Sequence, residues 1–278
     1  MKLACVLIFA AVQLFAQDPI FDGKRALENG RPLDAIRSFR MALAARPDGD
    51  SSGSLHPLLI GLATAYLDAG DLHGAEVTLV EASRNAPPDP LSKAELENDW
   101  GSLLLKMGRL NESTDRFTHA MELLSVNRAG NELAPAVLNN LAATEIRLGR
   151  YNQALGHQKE ALAMWTSFES ADNADLIKGR ASLASLEFLV GRPEDARHSM
   201  DLAIASARRT YGPNSGTLGD LLESQAVILK KLGLKKEAKS AQAEARRIGK
   251  EQPKRAAPQT WDAQEALVEP SSVHVVSK

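Results

Sequence analysis

The residue types that support catalysis or metal binding are present in this chain, but they do not converge. Six histidines stand at 56, 73, 119, 157, 198 and 274. A zinc site needs several such ligands at matched spacing. His119, His157 and His198 instead fall eleven, eight and seven residues after glycines that mark turns, on three separate helices. Asp48-Gly49-Asp50-Ser51-Ser52-Gly53 opens like a calcium loop, yet its twelfth place is Leu59 where a bidentate Glu is needed. The stretch reads as a loop between repeats. There is no phosphate-cradling glycine loop, no His-Glu-x-x-His pair and no Gly-x-Ser-x-Gly elbow. Carboxylates are spread along helix surfaces with no visible pairing. The expectation is a protein that is not an enzyme, with no catalytic residue, no metal and no cofactor.

The elements that carry these residues follow from one pattern repeated six times. Gly30, Gly70, Gly108, Gly149, Gly191 and Gly233 recur where helical periodicity breaks, at spacings of 40, 38, 41, 42 and 42. Five residues after each stands Ala35, Ala75, Ser113, Ala154, Ala196 or Ala238. Twelve after each stands Ala42, Ala82, Ala120, Ala161, Ala203 or Ala245. Seven before each stands Gly23, Ala63, Gly101, Ala142, Ala184 or Ala226. All eighteen positions are Gly, Ala or Ser, an alignment that chance does not produce.

The physical reading is a helical hairpin per copy. Each glycine ends one helix, where a left-handed backbone costs little without a Cβ. The small residues let two helices approach, and a larger side chain there costs about 1–3 kcal/mol. Arg31-Pro32-Leu33-Asp34-Ala35 and Arg192-Pro193-Glu194-Asp195-Ala196 repeat one helix start, with proline at the first helical position and acids at the positive helix end. Ala134, Leu138, Leu141, Glu145 and Leu148 form a helix stripe with one polar interruption. Phe39, Phe117 and Met200, at helical spacing, read as core. No segment sustains a period of two, so no sheet is expected.

Helix A of the six hairpins is predicted over 19–29, 55–69, 91–107, 133–148, 173–190 and 215–232. Helix B is predicted over 32–45, 72–85, 110–126, 151–168, 193–210 and 235–249. One hairpin cannot bury its apolar face alone, so neighbours must stack. The last helix, rich in Lys, Arg and Glu, is expected to be its own solvent cap.

At these residues the chain resembles the tetratricopeptide repeat family. The small residue in helix A, the turn glycine and the alanines five and twelve residues on are that family's pattern. Pro47 and Pro87, seventeen residues after Gly30 and Gly70, fit its closing proline. The usual repeat is about 34 residues. The spacings of 41 and 42 are similar to the longer repeats of kinesin light chains. Leu138-Asn139-Asn140-Leu141-Ala142 and Tyr211-Gly212-Pro213-Asn214-Ser215 strengthen that comparison. Ser113 departs from the alanine, and the family's early Trp is not matched.

The resemblance implies an all-α fold, a right-handed superhelical solenoid of about six antiparallel helix hairpins, whose A helices line a concave groove. It implies a peptide or protein segment as ligand there. By position, the peptide-groove residues are Asn98, Ser102 and Lys106, then Asn139, Ala143 and Arg147, then Ser185. In similar repeats the asparagine bonds the backbone of an extended peptide. An amide offers both donors and an acceptor, so it reads main chain rather than sequence. Lys106 and Arg147 would add a preference for acidic ligands.

Composition bounds the partners. The 278 residues are 44% hydrophobic and 24% charged, which is ordinary for a globular chain. Lys plus Arg is 33 against 35 Asp plus Glu, a net charge of −2, so no general attraction to nucleic acid or anionic membrane is expected. Aromatic residues are 5%, too few for a base-stacking surface. The single Cys5 excludes a disulfide framework.

The ends differ from the repeats. Met1-Lys2, the apolar run from Leu3 to Val12 and Ala16 before Gln17-Asp18-Pro19 read as a signal peptide over 1–16. The run falls short of the roughly 20 apolar residues of a spanning helix. Export to the periplasm or outside the cell is expected, and an uncleaved anchor is the alternative. The repeat domain is then 17–249, followed by a flexible tail over 250–278 with a short helix at 261–268. The expected function is a non-enzymatic scaffold that binds a peptide or protein segment, its identity open, with no nucleic acid. The alternatives are a peptide-sensing regulator, a self-assembling structural component of the envelope and, last, an enzyme.

Overall fold

A computed structural model describes residues 18–47, 55–125, 131–167 and 174–251. The expected signal peptide with Cys5, the stretch from Asp48 to Gly53 and the tail helix at 261–268 lie outside these residues. Twelve α-helices and no strand occur among the described residues. They are α1 (Pro19–Glu28), α2 (Pro32–Ala44), α3 (Leu55–Ala69), α4 (Leu72–Arg84), α5 (Pro90–Lys106) and α6 (Leu110–Leu123). There follow α7 (Leu133–Arg147), α8 (Tyr151–Ser167), α9 (Ala174–Leu189), α10 (Pro193–Tyr211), α11 (Gly216–Lys231) and α12 (Lys235–Glu251). The chain divides into two compact units, the first ending at Met107 and the second beginning at Gly108.

The helix ends follow local chemistry. Gly30, Gly70, Gly108, Gly149, Gly191 and Gly233 all have positive φ, between 64° and 80°. At Gly149 the amide donates to Ile146 O at 2.9 Å, and the next amide, Arg150, reaches back to Glu145 O at 2.8 Å. The same pair of bonds recurs at Gly30, Gly70, Gly191 and Gly233. These bonds satisfy carbonyls that the helix leaves open and turn the chain back within three residues. Helix starts use proline at Pro19, Pro32, Pro90 and Pro193. Side-chain caps serve α4, where Asp71 accepts from Gly74 N, and reinforce the proline start of α5, where Asp89 accepts from Ser92 N, each at 2.9 Å. The Ser92 amide holds the Asp89 carboxyl below its usual range.

All eighteen small positions are buried. In the first unit, Phe39 of α2 shows why. A Cβ added at Gly23 of α1 or Gly61 of α3 would stand 2.8 or 2.7 Å from its ring. Two glycines thus let two A helices close on one aromatic side chain. Leu59, Ala63, Leu79, Ala82, Leu96 and Leu103 continue this core through α3, α4 and α5. In the second unit, Leu138, Ala161, Leu162, Trp165 and Leu176 fill the space between α7, α8 and α9. The Trp165 ring lies over Gly179, where a Cβ would come within 2.7 Å. A further cluster runs from Ile177 through Met200 and Leu218 to Ile248. Phe39, Phe117 and Met200 are core, as expected.

Ser113, the departure from alanine, keeps its place by a hydrogen bond. Its hydroxyl lies 3.3 Å from that of Thr144 in α7. Thr144 also donates to Asn140 O at 3.0 Å.

Candidate functional site

In the first unit the expected ligand residues sit on α5. Asn98 and Ser102 are half-buried and Lys106 is exposed in the last turn. Ser102 donates to Asn98 O at 2.9 Å, the backbone bond open to a helical serine. Behind them stands Asp99, where the spread of carboxylates along the helices predicts a surface acid. Asp99 is instead buried, at 7% exposed. Its position was legible, because Leu96, Asp99 and Leu103 lie on one helical stripe.

Asp99 ties two A helices of this unit, α3 and α5. Asn98 Nδ2 donates to its Oδ1 at 3.3 Å. Thr64 Oγ1 of α3 lies 3.2 Å from its Oδ2 and 3.0 Å from Ile60 O. A threonine has one hydrogen for these two acceptors. Its hydrogen serves Ile60 O or Asp99 Oδ2, one at a time. Burial pushes the Asp99 carboxyl up to about 7, against the hydrogen bonds from Thr64 and Asn98, and Glu95 and Asp68 add repulsion. Burial also raises Glu95, opposed by His56 and Lys24. His56 is 2% exposed, with Nδ1 3.3 Å from Ala82 O and Nε2 buried without a hydrogen-bond partner in the described structure.

In the second unit the expected residues separate. Asn139, Ala143 and Arg147 lie half-buried along α7. Arg147 turns its guanidinium toward the Gly108 turn, where a Cβ would stand 3.8 Å from Nη2. Ser185 of α9 is fully buried and donates to Ala181 O at 3.0 Å. It presents no polar atom to a ligand in this conformation. Ala181, one turn earlier, is equally covered, so α9 closes where α7 stays partly open.

The same unit holds two polar pairs that spacing alone did not reveal. Glu145 of α7, the polar interruption in its stripe, meets His157 of α8 at 2.8 Å. Glu187 of α9 accepts from Ser199 of α10 at 2.7 Å. Burial raises the Glu187 carboxyl, and the Ser199 hydroxyl partly offsets this. Each pair joins helix A to helix B of its own hairpin. Among the described residues no group of three or more His, Cys, Asp or Glu is placed to hold a metal. No described helix is long and apolar enough to cross a membrane.

The comparisons bear on the repeats and the fold. Residues 92–167 match the tetratricopeptide repeat family model. The mitochondrial tetratricopeptide repeat protein 19 homolog of Drosophila melanogaster is 28% identical over 111 residues. That match covers 39% of this chain and 30% of the relative, so the chain spans under a third of that protein. Among solved structures, BtubC (BKLC) from P. vanneervenii superposes with a TM-score of 0.65 at 20% identity, covering 86% of this chain and 94% of that one. A putative kinesin light chain from Podosopora anserina with nearly identical TPR-like repeats gives 0.60 at 15% identity, covering 74% and 100%. At these identities the likeness shows the fold. The fold is that of tetratricopeptide-type helical hairpins, and kinesin-light-chain-like repeat structures are among those it resembles.

Proposed function

We propose that this tetratricopeptide-type chain is an exported scaffold that holds a peptide or protein segment against its A helices. The fold itself is generally an interaction scaffold rather than an enzyme. The observation that carries the finer reading is the network around Asn98. Thr64, Asp99 and Asn98 fix the amide on a helix face where Ser102 and Lys106 are also presented. A held amide loses little conformational freedom on binding main chain. Asn139 and Arg147 offer the same residue types on α7 of the second unit, as a separate face. Ser185 is left out of the proposed site because it is wholly buried. Lys106 and Arg147 favour ligands with acidic side chains.

The reading is tested by selecting linear peptides from a random displayed library on the purified protein, then measuring affinity by calorimetry. Asn98→Ala or Asn139→Ala should weaken a selected peptide about tenfold, the worth of one or two hydrogen bonds to the backbone. Ser185→Ala should leave affinity unchanged. Equal affinity for the wild type and both asparagine variants would move binding away from the A helices. Export is tested separately. Fractionation of producing cells should find the chain outside the cytoplasm, beginning at Gln17.

A further inference from the structure

Helix α12 is mixed in sequence but sorted in space. Two of its three acids, Glu237 and Glu244, turn toward α10, where Arg197 donates to Glu237 at 2.9 Å and Arg208 grips both oxygens of Glu244 at 2.9 Å. Ala238, Ala241, Ala245 and Ile248 are buried. Lys235, Lys236, Lys239, Arg246 and Lys250 are all exposed. At 3.6 residues per turn these five fall within an arc of about 100° on the side opposite the core. With Glu237 and Glu244 engaged by α10, the charged residues within this outward arc are bases alone. Lys235 and Lys236 also stand in the first turn, where the helix dipole disfavours cations. The exposed residues of this face include no aromatic or large apolar side chain. It therefore lacks what would stack on bases or insert into lipid.

The sequence supplies a complementary segment. Between Arg255 and Lys278 the charged residues are Asp262, Glu265 and Glu269, with no Lys or Arg. Ten residues, 252–261, separate the end of α12 from this cluster and can span up to about 33 Å. A helix of the length of α12 is about 25 Å long, so the linker can return to its first turn. A tether this short holds the segment at an effective concentration on the order of millimolar. We propose that the acidic segment 261–269 of this chain docks along the basic outward face of α12. The face is then an intramolecular docking surface, and any external anionic partner has to displace the segment.

The test is zero-length carbodiimide coupling on the full chain at low protein concentration, read by mass spectrometry. Amides should form within one molecule between Asp262, Glu265 or Glu269 and Lys235, Lys236 or Lys239. Their yield should fall about fivefold in Arg246→Glu/Lys250→Glu, which removes attraction but keeps the three reporter amines. It should fall likewise in 1 M salt, where the screening length drops to about 3 Å. Circular dichroism checks that the variant keeps its helices. Coupling of the acids only to Lys250, Lys254 or lysines elsewhere overturns the proposal. So does coupling between copies in an isotope-mixed sample, or a yield indifferent to both salt and the charge reversal.

Discussion

Glu145 and His157 form a pair across the fourth hairpin that recurs, with a different partner, in the fifth. Glu145 lies four residues before Gly149 and His157 eight after it; Glu187 and Ser199 hold the same places around Gly191. The carboxylate is buried in both, and a donor from helix B meets it at 2.8 and 2.7 Å. In the sixth hairpin those places hold Leu229 and Ala241, both buried. One backbone position is thus filled either by an apolar pair or by a carboxylate with its donor.

This equivalence predicts a non-additive cycle. His157→Ala leaves a buried carboxylate without its donor and should destabilise by about 2 kcal/mol. Glu145→Leu combined with His157→Ala copies the sixth hairpin and should recover most of that loss. Urea unfolding of the two single variants and the double variant measures it. Additive losses would mean that the two side chains act independently.

Asp99 predicts a pH dependence with a definite sign. Its carboxyl is pushed from the ordinary 3.8 up to about 7 in the fold. Between those values the folded chain holds a proton that the unfolded chain has lost. The stability this group contributes is therefore present at pH 4 and lost as pH rises toward 7. Asp99→Asn keeps a neutral amide in that place. It should be more stable than wild type at pH 8, by on the order of 2–4 kcal/mol, with the gain vanishing near pH 4. Thermal unfolding of both proteins across pH 4–8 gives the difference, and parallel curves would refute a proton on Asp99.

Two helical glycines should respond in opposite senses to alanine. At Gly61 the new Cβ would meet the Phe39 ring at 2.7 Å, inside a packed core. Gly61→Ala should cost about 1–3 kcal/mol despite the better helix propensity. At Gly156 in α8 nothing lies within 4 Å. Gly156→Ala should gain about 0.5–1 kcal/mol. Denaturant midpoints decide both, and a gain at Gly61 would mean that Phe39 yields more readily than its burial suggests.

At the turn glycines a side chain should cost stability for a different reason. Gly191 has nothing within 4 Å of a Cβ, but its φ is 80°. Gly191→Ala should therefore cost about 1 kcal/mol through backbone strain alone, while Gly191→Asn should cost less. Equal stability of all three chains would show that the turn relaxes out of the left-handed region.

Much of the fold was legible in the residues. The turn glycines and the small positions around them reflect short-range constraints: a left-handed residue and a close helix contact admit few side chains, so the pattern survives in every copy. Helix ends came within three residues of their observed places for the same reason. The candidate ligand residues were less legible. Register puts Asn98, Asn139 and Ser185 in two equivalent kinds of place along helix A, but register does not report how closely neighbouring helices approach. Around α9 they close over Ala181 and Ser185; at α5 and α7 they leave the asparagines half-buried.

Sequence by itself determined an all-α chain of six hairpins and the residues that make their turns and contacts. Tertiary structure alone decided which polar groups leave water. Asp99, Glu145 and Glu187 differ from surface acids only in what packs around them, and desolvation depends on neighbours distant in sequence. Tertiary structure also sorted the charges of α12, because Arg197 and Arg208 on another helix engage two of its acids. Local pattern fixes a backbone conformation through sterics within a few residues. Burial and electrostatics are set by the assembled environment, which no single stretch of the chain contains.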